Sequence, residues 1–246
     1  MPRFFLSKRS IHDNMATLTG QELEHLRRVL RLRPGDRITL FDDEGWEHDG
    51  TIRSFGERTA EIEIVKSDRP GRESSLRIHL AQALGKGDKM DFVVEKATEL
   101  GVYSIIPFLS AHTVPRPDGE KVERRVSRWR KIALSAAKQS GRTQIPEISG
   151  LTDFTDLVRR PWPCGLKLLF WERESLLSLK QIRNDTGHLD FLLLTIGPEG
   201  GFSPDEASEA LRHEFKSVSL GSRILRSETA ALAALSIAQF LWGDMG

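Results

Sequence analysis

Leu192 to Glu206 reads LLLTIGPEGGFSPDE, and the change of pattern inside it decides how the chain folds. The opening run of Leu and Ile is that of a buried strand, and at Gly197 it breaks into a loop that also holds Gly200 and Gly201. Ser203 then offers an N-cap oxygen, Pro204 suits the first helical position and Glu206 stands three residues beyond the cap, so a helix is expected to start there. Strand, glycine loop and capped helix, in that order, shape the crevice beyond the carboxyl ends of the strands in an open α/β sheet. Taken alone, the loop reads equally well as a tight turn that needs positive φ.

A second stretch, Leu220 to Ala234, repeats the arrangement as LGSRILRSETAALAA. Val218 to Leu220 reads as a short strand, Gly221 breaks it, Arg223 and Arg226 flank the Ile224-Leu225 pair, and Ser227 is placed to cap a helix. That helix, ETAALAALSIAQFLW, is apolar on nearly every face and is expected to be buried, although Ala is also simply a good helix former. Two such turns, each closing a strand and opening a helix, make two backbone walls for one flat ligand.

Charge narrows the ligand. The G-x-x-x-x-G-K-[ST] phosphate cradle and the dinucleotide G-x-G-x-x-G spacing are both absent. Glu199 sits in the first loop instead, and an acidic side chain beside exposed backbone donors disfavours a polyphosphate and suits a neutral or cationic ligand. A nucleotide-binding dehydrogenase is disfavoured on the same ground, whereas an RNA-binding protein without catalysis would need no small-molecule pocket at all.

With 246 residues, 39% hydrophobic and 29% charged, the composition is that of an ordinary globular chain of one large or two small domains. No stretch is long and apolar enough to span a membrane, MPRFFLSKRS lacks the apolar core of a secretory signal, and the single Cys164 excludes an internal disulfide, so a reducing cytoplasm is expected. No Cys/His cluster has metal-ligand spacing, and no metal is expected.

The net charge of +1 is unevenly spread. Residues 1–37 carry eight Lys or Arg against four acids, and residues 38–72 carry five against nine. Such segregation suits one face turned to a polyanion, or two solvated faces that balance each other. Residues 1–72 read as short strands with turns at Pro34-Gly35-Asp36, Asp43-Glu44-Gly45 and Gly56, interrupted by one helix over Thr19 to Leu32.

From Leu76 the period changes. Leu76 to Leu84 reads as a strand, Asp88 to Leu100 as a helix stopped by Gly101, and Val102 to Phe108 as a strand again, which implies a parallel sheet with a crossover helix. Lys86, Lys89 and Lys96 along this unit form either a solvated face or an RNA contact. Arg116 to Arg142 is the most basic segment, nine Lys or Arg against three acids, with Val122, Val126, Trp129, Ala133 and Ala136 on one apolar stripe. RNA phosphate is the preferred partner for its basic side, and the loop Gln139-Ser140-Gly141-Arg142 that ends it is placed to reach a nucleotide.

IGPEGGFSPDE followed by LGSRILRSETAALAAL resembles the paired C-terminal motifs of the SPOUT methyltransferases, and within them of the ribosomal RNA small subunit methyltransferase E family. The resemblance extends over almost the whole chain through MPRFFL, HLRRVLRLRPGDRI, QALGKGDKMDFVVEKATELGVYSIIPF and AAKQSGRTQIPEI. It implies a PUA-like β-barrel that positions RNA over residues 1–72 and, over 73–246, a SPOUT α/β domain with a trefoil knot, packed as a homodimer. It implies S-adenosylmethionine as cofactor and, as substrate, N3 of a uridine in 16S ribosomal RNA, free or in the small ribosomal subunit.

The cofactor site implied by the resemblance takes Ile196, Gly197, Glu199 and Gly200 from the first loop and Leu220, Gly221, Ile224 and Leu225 from the second. Leu169, Phe170 and Glu172, at the end of the apolar strand Leu166 to Glu172, form a further wall; unaided, Phe170 reads as core. Arg3, Arg9, Arg27, Arg28, Arg31, Lys86 and Arg142 are the expected RNA contacts. One departure stands out, since His112-Thr113 occupies the place of an Arg-Ser pair common in the pattern. Methylating uracil N3 requires loss of its proton, with charge spreading to the flanking oxygens. Arg226, beside the second glycine turn, is the expected stabiliser of that anion, unless it pairs with Glu228. Glu172, Glu199 and Glu228 all remain open as the general base, as does water. The target base is expected to be unpaired or extruded.

Overall fold

The computed structural model describes residues 1–42, 44–114, 118–171 and 177–246 and divides into two units. The first comprises Met1–Glu73 together with Ala137–Ile145, and the second comprises Ser74–Ala136 with Pro146–Gly246.

In the first unit, β1 (Arg3–Phe5), β2 (Ile11–His12), β3 (Met15–Leu18), β4 (Arg37–Phe41), β5 (Glu47–Phe55) and β6 (Ala60–Asp68) form one sheet in the order β1-β4-β5-β6-β3-β2. Only β1 and β4 run parallel; the remaining pairs are antiparallel. Residues in β5 alternate between buried and open, as one packed face demands, and Phe4, Leu40, Ile52 and Ile62 fill the core beneath. The single helix expected over Thr19 to Leu32 is shorter: α1 (Gly20–Glu24) passes directly into a π turn over His25–Val29. Leu23 and Leu26 are buried, whereas Leu30 is 39% exposed and Arg31 adopts φ 53°. Thr19 occupies the N-cap without a side-chain bond.

The expected boundary after residue 72 leaves no place for the return of residues 137–145 to this unit. The cause is Glu73. Its carboxylate accepts from Arg142 Nε and Nη2 at 3.0 and 2.7 Å and from the backbone N–H groups of Thr143 and Gln144 at 2.9 and 3.0 Å. Lys138 adds an ion pair to Glu22, with a 2.7 Å contact to Oε2, and Arg3 Nη2 donates to the Arg142 carbonyl at 2.9 Å.

The second unit contains β7 (Arg77–Ala83), α2 (Lys89–Glu99), β8 (Ser104–Leu109), the start of α3 (Gly119–Ser140), β9 (Glu147–Ile148), β10 (Thr152–Asp153) and α4 (Phe154–Arg159). It continues with β11 (Leu166–Phe170), α5 (Leu179–Asp185), β12 (Phe191–Ile196), α6 (Pro204–Arg212), β13 (Lys216–Val218) and α7 (Ser227–Trp242). The strands make an all-parallel sheet in the order β10-β8-β7-β12-β11-β13, with β9 paired to β8. All six residues of β12 are buried, as a central parallel strand covered on both faces requires. Phe108, Phe154, Leu169, Leu193 and Phe202 anchor the core on one face, while α7 packs beside α2 and Gln239 Nε2 donates to the Leu100 carbonyl at 3.1 Å. The second strand of the glycine-turn pair lies slightly earlier than Val218 to Leu220, because β13 stops where its pairing with β11 stops. Burial of α7 is one-sided: Ala231, Leu235 and Ala238 are enclosed, but Phe240 is 64% exposed.

Candidate cofactor pocket

Because β11, β12 and β13 run parallel, their carboxyl ends lie side by side, and Phe170, Ile196 and Val218 bring three strand ends to one place. A cavity of about 480 Å³ opens there. From the first loop Gly197, Glu199 and Gly200 line it. From the second loop Leu220, Gly221, Ile224, Leu225 and Arg226 line it, Ile224 at the rim with 89% of its surface exposed. Leu169 does not reach the cavity. Neighbouring residues of a strand point to opposite faces, so placing Phe170 in the cavity sends Leu169 into the core. Glu172 lies outside the described residues.

Trp171, Pro198, Ser219 and Ser222, which are not among the expected site residues, also line the cavity. The Trp171 indole Nε1 is buried with no hydrogen-bond partner among the described residues, and the ring also packs against the core. Nothing local in Phe170-Trp171 says which ring faces solvent, because that depends on where the strand ends.

The glycines serve two purposes. Gly201 (φ 69°) and Gly221 (φ 106°) hold left-handed backbone that other residues adopt only with strain. Gly197 and Gly200 instead allow close approach: a Cβ on Gly197 would lie 3.1 Å from the Phe202 ring, and one on Gly200 would lie 2.9 Å from His112 Cβ.

A buried bolt ties the two loops together. Ser227 Oγ donates to the Gly197 carbonyl at 2.6 Å and accepts from Gln82 Nε2 at 2.9 Å. Ser227 is therefore not the helix cap expected of it; Arg226 occupies the N-cap of α7, without a side-chain cap bond. The capping box at Ser203 is formed as its spacing indicates, Ser203 N donating to Glu206 Oε2 at 2.9 Å and Glu206 N to Ser203 Oγ at 3.2 Å.

At the edge of the cavity Lys89 Nζ stands 2.8 Å from Glu199 Oε1 and 3.5 Å from Glu228 Oε2. Partial burial would raise the Glu199 pKa, but the hydrogen bonds from Lys89 and from backbone N–H groups outweigh it and hold the carboxyl below its ordinary range. Glu228 thus faces Lys89 and not Arg226, and the exposed Arg226 has no ion pair with another described residue.

The expected RNA contacts divide. Arg3 and Arg142 are committed within the first unit, Arg3 to Glu47 at 2.6 Å and Arg142 to Glu73 at 2.7 Å, with side chains only 14% and 7% exposed. Both guanidiniums are thus engaged in holding this unit together, and little of either is open to a phosphate. Arg27 donates to the carbonyls of Gly56 and Glu57 and lies over the Phe55 ring, and Arg28 pairs with Glu24. Arg9, Arg31 and Lys86 are exposed. Along α3 the apolar stripe is buried at Val126, Trp129, Ala133 and Ala136, and much of the basic side is neutralised through Lys121–Asp118, Arg124–Glu120 and Arg128–Asp91 pairs. Among the described residues, no group of three His, Cys, Asp or Glu side chains is placed to hold a metal, and no helix is long and apolar enough to cross a membrane.

Residues 72–239 match the family described as RNA methyltransferase domain, and residues 18–65 match RNA methyltransferase PUA domain. Ribosomal RNA small subunit methyltransferase E of Bacillus subtilis is 31% identical, over 96% of this chain and 95% of the relative. A Neisseria gonorrhoeae structure of that name, bound to S-adenosyl methionine, is 35% identical with TM-score 0.89 and covers 100% of both chains. A Legionella pneumophila protein in complex with the same cofactor is 33% identical with TM-score 0.89, over 99% of this chain and 98% of the other. A PUA-like unit followed by a SPOUT-like α/β unit, with similarity of this extent in both, shows that the chain belongs to the ribosomal RNA small subunit methyltransferase E family of RNA methyltransferases.

Proposed function

We propose that the chain transfers a methyl group from S-adenosylmethionine to N3 of a uridine in 16S ribosomal RNA. The observation that carries this reading is the cavity walled by both glycine loops at the carboxyl ends of β11, β12 and β13, in a chain 35% identical throughout to a relative that holds the cofactor. The residues fit that group. A cavity of about 480 Å³ suits a compact ligand, and the backbone walls that Gly197, Gly200 and Gly221 keep free of side chains accept a flat ring. When bound, the sulfonium supplies the activated methyl carbon, and the chain's part is to orient the nucleophile and exclude water.

Arg226 is the proposed stabiliser of the uracil anion, its guanidinium facing the oxygens onto which the N3 charge spreads. Glu199 and Glu228 both turn to Lys89, which argues against either as the base. The RNA itself is proposed to meet Arg9, Arg27, Arg28 and Arg31 of the PUA-like unit and Lys86. The domain reading of an RNA-positioning part over residues 1–72 and a catalytic part from 73 is retained, with residues 137–145 added to the former. A trefoil knot, a homodimer and a cytoplasmic location complete the proposal; the sheet order, with β12 inserted between β7 and β11, supports the first.

Calorimetry with S-adenosylmethionine, followed by methyl transfer to 16S RNA and to isolated small subunits, tests the reading. Wild type should bind, and Gly221→Val, which forces a branched residue into positive φ, should not. Arg226→Ala should keep cofactor binding and lose about 100-fold in kcat. Absence of cofactor binding by wild type would overturn the proposal.

A further inference from the structure

Gly200 and Gly201 are held from outside the cavity by one side chain. His112 Nδ1 lies 3.0 Å from the Gly200 carbonyl oxygen and 3.1 Å from that of Gly201. Both partners are acceptors, so Nδ1 must carry the proton and donate to both. The imidazole does not line the cavity itself. It lies where a side chain on residue 200 would project, which gives Gly200 its reason to be glycine.

The segment that carries His112 is itself fastened to the loop. Thr113 N donates to the Ser110 carbonyl at 3.0 Å and Ser110 N to Thr113 Oγ1 at 2.9 Å, closing a turn with Thr113 buried. Glu206 then joins that turn to the start of α6. Its Oε1 accepts from Ala111 N at 2.8 Å, and its Oε2 accepts from Ser110 Oγ at 3.3 Å and Ser203 N at 2.9 Å. The glycine loop is thus clamped after β12 by the Ser227 bolt, before α6 by Glu206 and in between by His112.

We infer that His112 is a positioning residue for the cofactor, fixing the carbonyls of Gly200 and Gly201 so that the loop keeps its cavity wall in the shape that binds the ligand. The inference rests on the reading of this cavity as the S-adenosylmethionine site. It makes a distinction that general structural importance would not. An asparagine amide nitrogen stands in the place of imidazole Nδ1, whereas a glutamine amide nitrogen stands in the place of Nε2.

The test is calorimetry of wild type, His112→Ala, His112→Asn and His112→Gln with S-adenosylmethionine, with thermal melting of each and steady-state KM and kcat on RNA. His112→Ala and His112→Gln should weaken cofactor binding about tenfold, the scale of one ordinary hydrogen bond. KM for the cofactor should rise with kcat little changed, because an interaction made equally before and during reaction is lost. His112→Asn should bind as wild type does. Wild-type binding combined with unchanged affinity in His112→Ala, or equal loss in His112→Asn and His112→Gln, would overturn the inference. If His112→Ala fails to fold, the comparison of Asn with Gln decides. Absence of binding by wild type would instead overturn the cofactor reading beneath it.

Discussion

His79 shows how far a residue's surroundings can depart from its position in a pattern. On β7 it is one of three polar residues, with Arg77 and Gln82, yet its ring packs against Phe191, Tyr103 and Trp162 at centroid distances of 4.9, 5.1 and 6.1 Å, with Nδ1 2.6 Å from Ser104 Oγ. Burial, seconded by Arg160 and Arg77, pushes its pKa from 6.5 down to about 4. The folded value lies below the unfolded one, so the unfolded chain takes up the proton first. Stability from this group is complete above about pH 6.5 and is lost as the pH falls toward about 4. Allowing for the ring's partial exposure, the loss is about 1–2 kcal/mol. Urea unfolding at pH 7.5 and pH 4.5 should show it, and His79→Phe should flatten the difference; an unaltered pH slope in that variant would place the proton uptake elsewhere. Leu169 and Phe170 teach a related lesson. Both were legible as strand residues, but which face each takes depends on where the neighbouring strands sit.

Among elements, what is local was readable. The glycine break after β12 and the capping box of α6 depend on residues three or four apart, and they form as their spacing indicates. The role of Ser227 is hidden for the opposite reason. Its partners, Gly197 and Gln82, lie 30 and 145 positions away, and a serine before an alanine-rich helix looks like a cap whatever it touches. In the structure it joins two loops, so Ser227→Ala should leave the buried Gly197 carbonyl without its donor and the Gln82 amide with only its bond to the Ala83 carbonyl, and destabilise by about 1–3 kcal/mol. Thermal melting should drop by several degrees, together with weaker cofactor binding; a stable variant with normal affinity would show that the bolt is dispensable. In α7 the many alanines hide an asymmetry, since alanine suits either face and only Ile237 and Phe240 reveal the open side.

For the whole molecule, the two-part organisation and the parallel sheet were legible, because the period of the apolar residues changes near Leu76. The composition of the first unit was not, because it depends on a carboxylate and a guanidinium 69 positions apart. A fragment of residues 1–73 lacks Arg142, Lys138 and the backbone donors that Glu73 holds. It should melt below the intact protein's first unit, and a synthetic peptide of residues 137–145 should raise its melting temperature by about 2–5 °C near saturation. Indifference to the peptide would mean that the barrel is complete without it.

That discontinuity sets a clock on biosynthesis. Once the ribosome has made Glu73, roughly seventy more residues must be added before Arg142 to Gln144 emerge, a delay of several seconds or more at about 5–20 residues per second. During that interval the nascent barrel carries an acidic group awaiting its guanidinium, while β7, α2 and β8 are already leaving the tunnel. The last step of building the amino-terminal unit therefore follows the first steps of building the other, and a pause in translation between the two would lengthen the lifetime of the half-finished barrel.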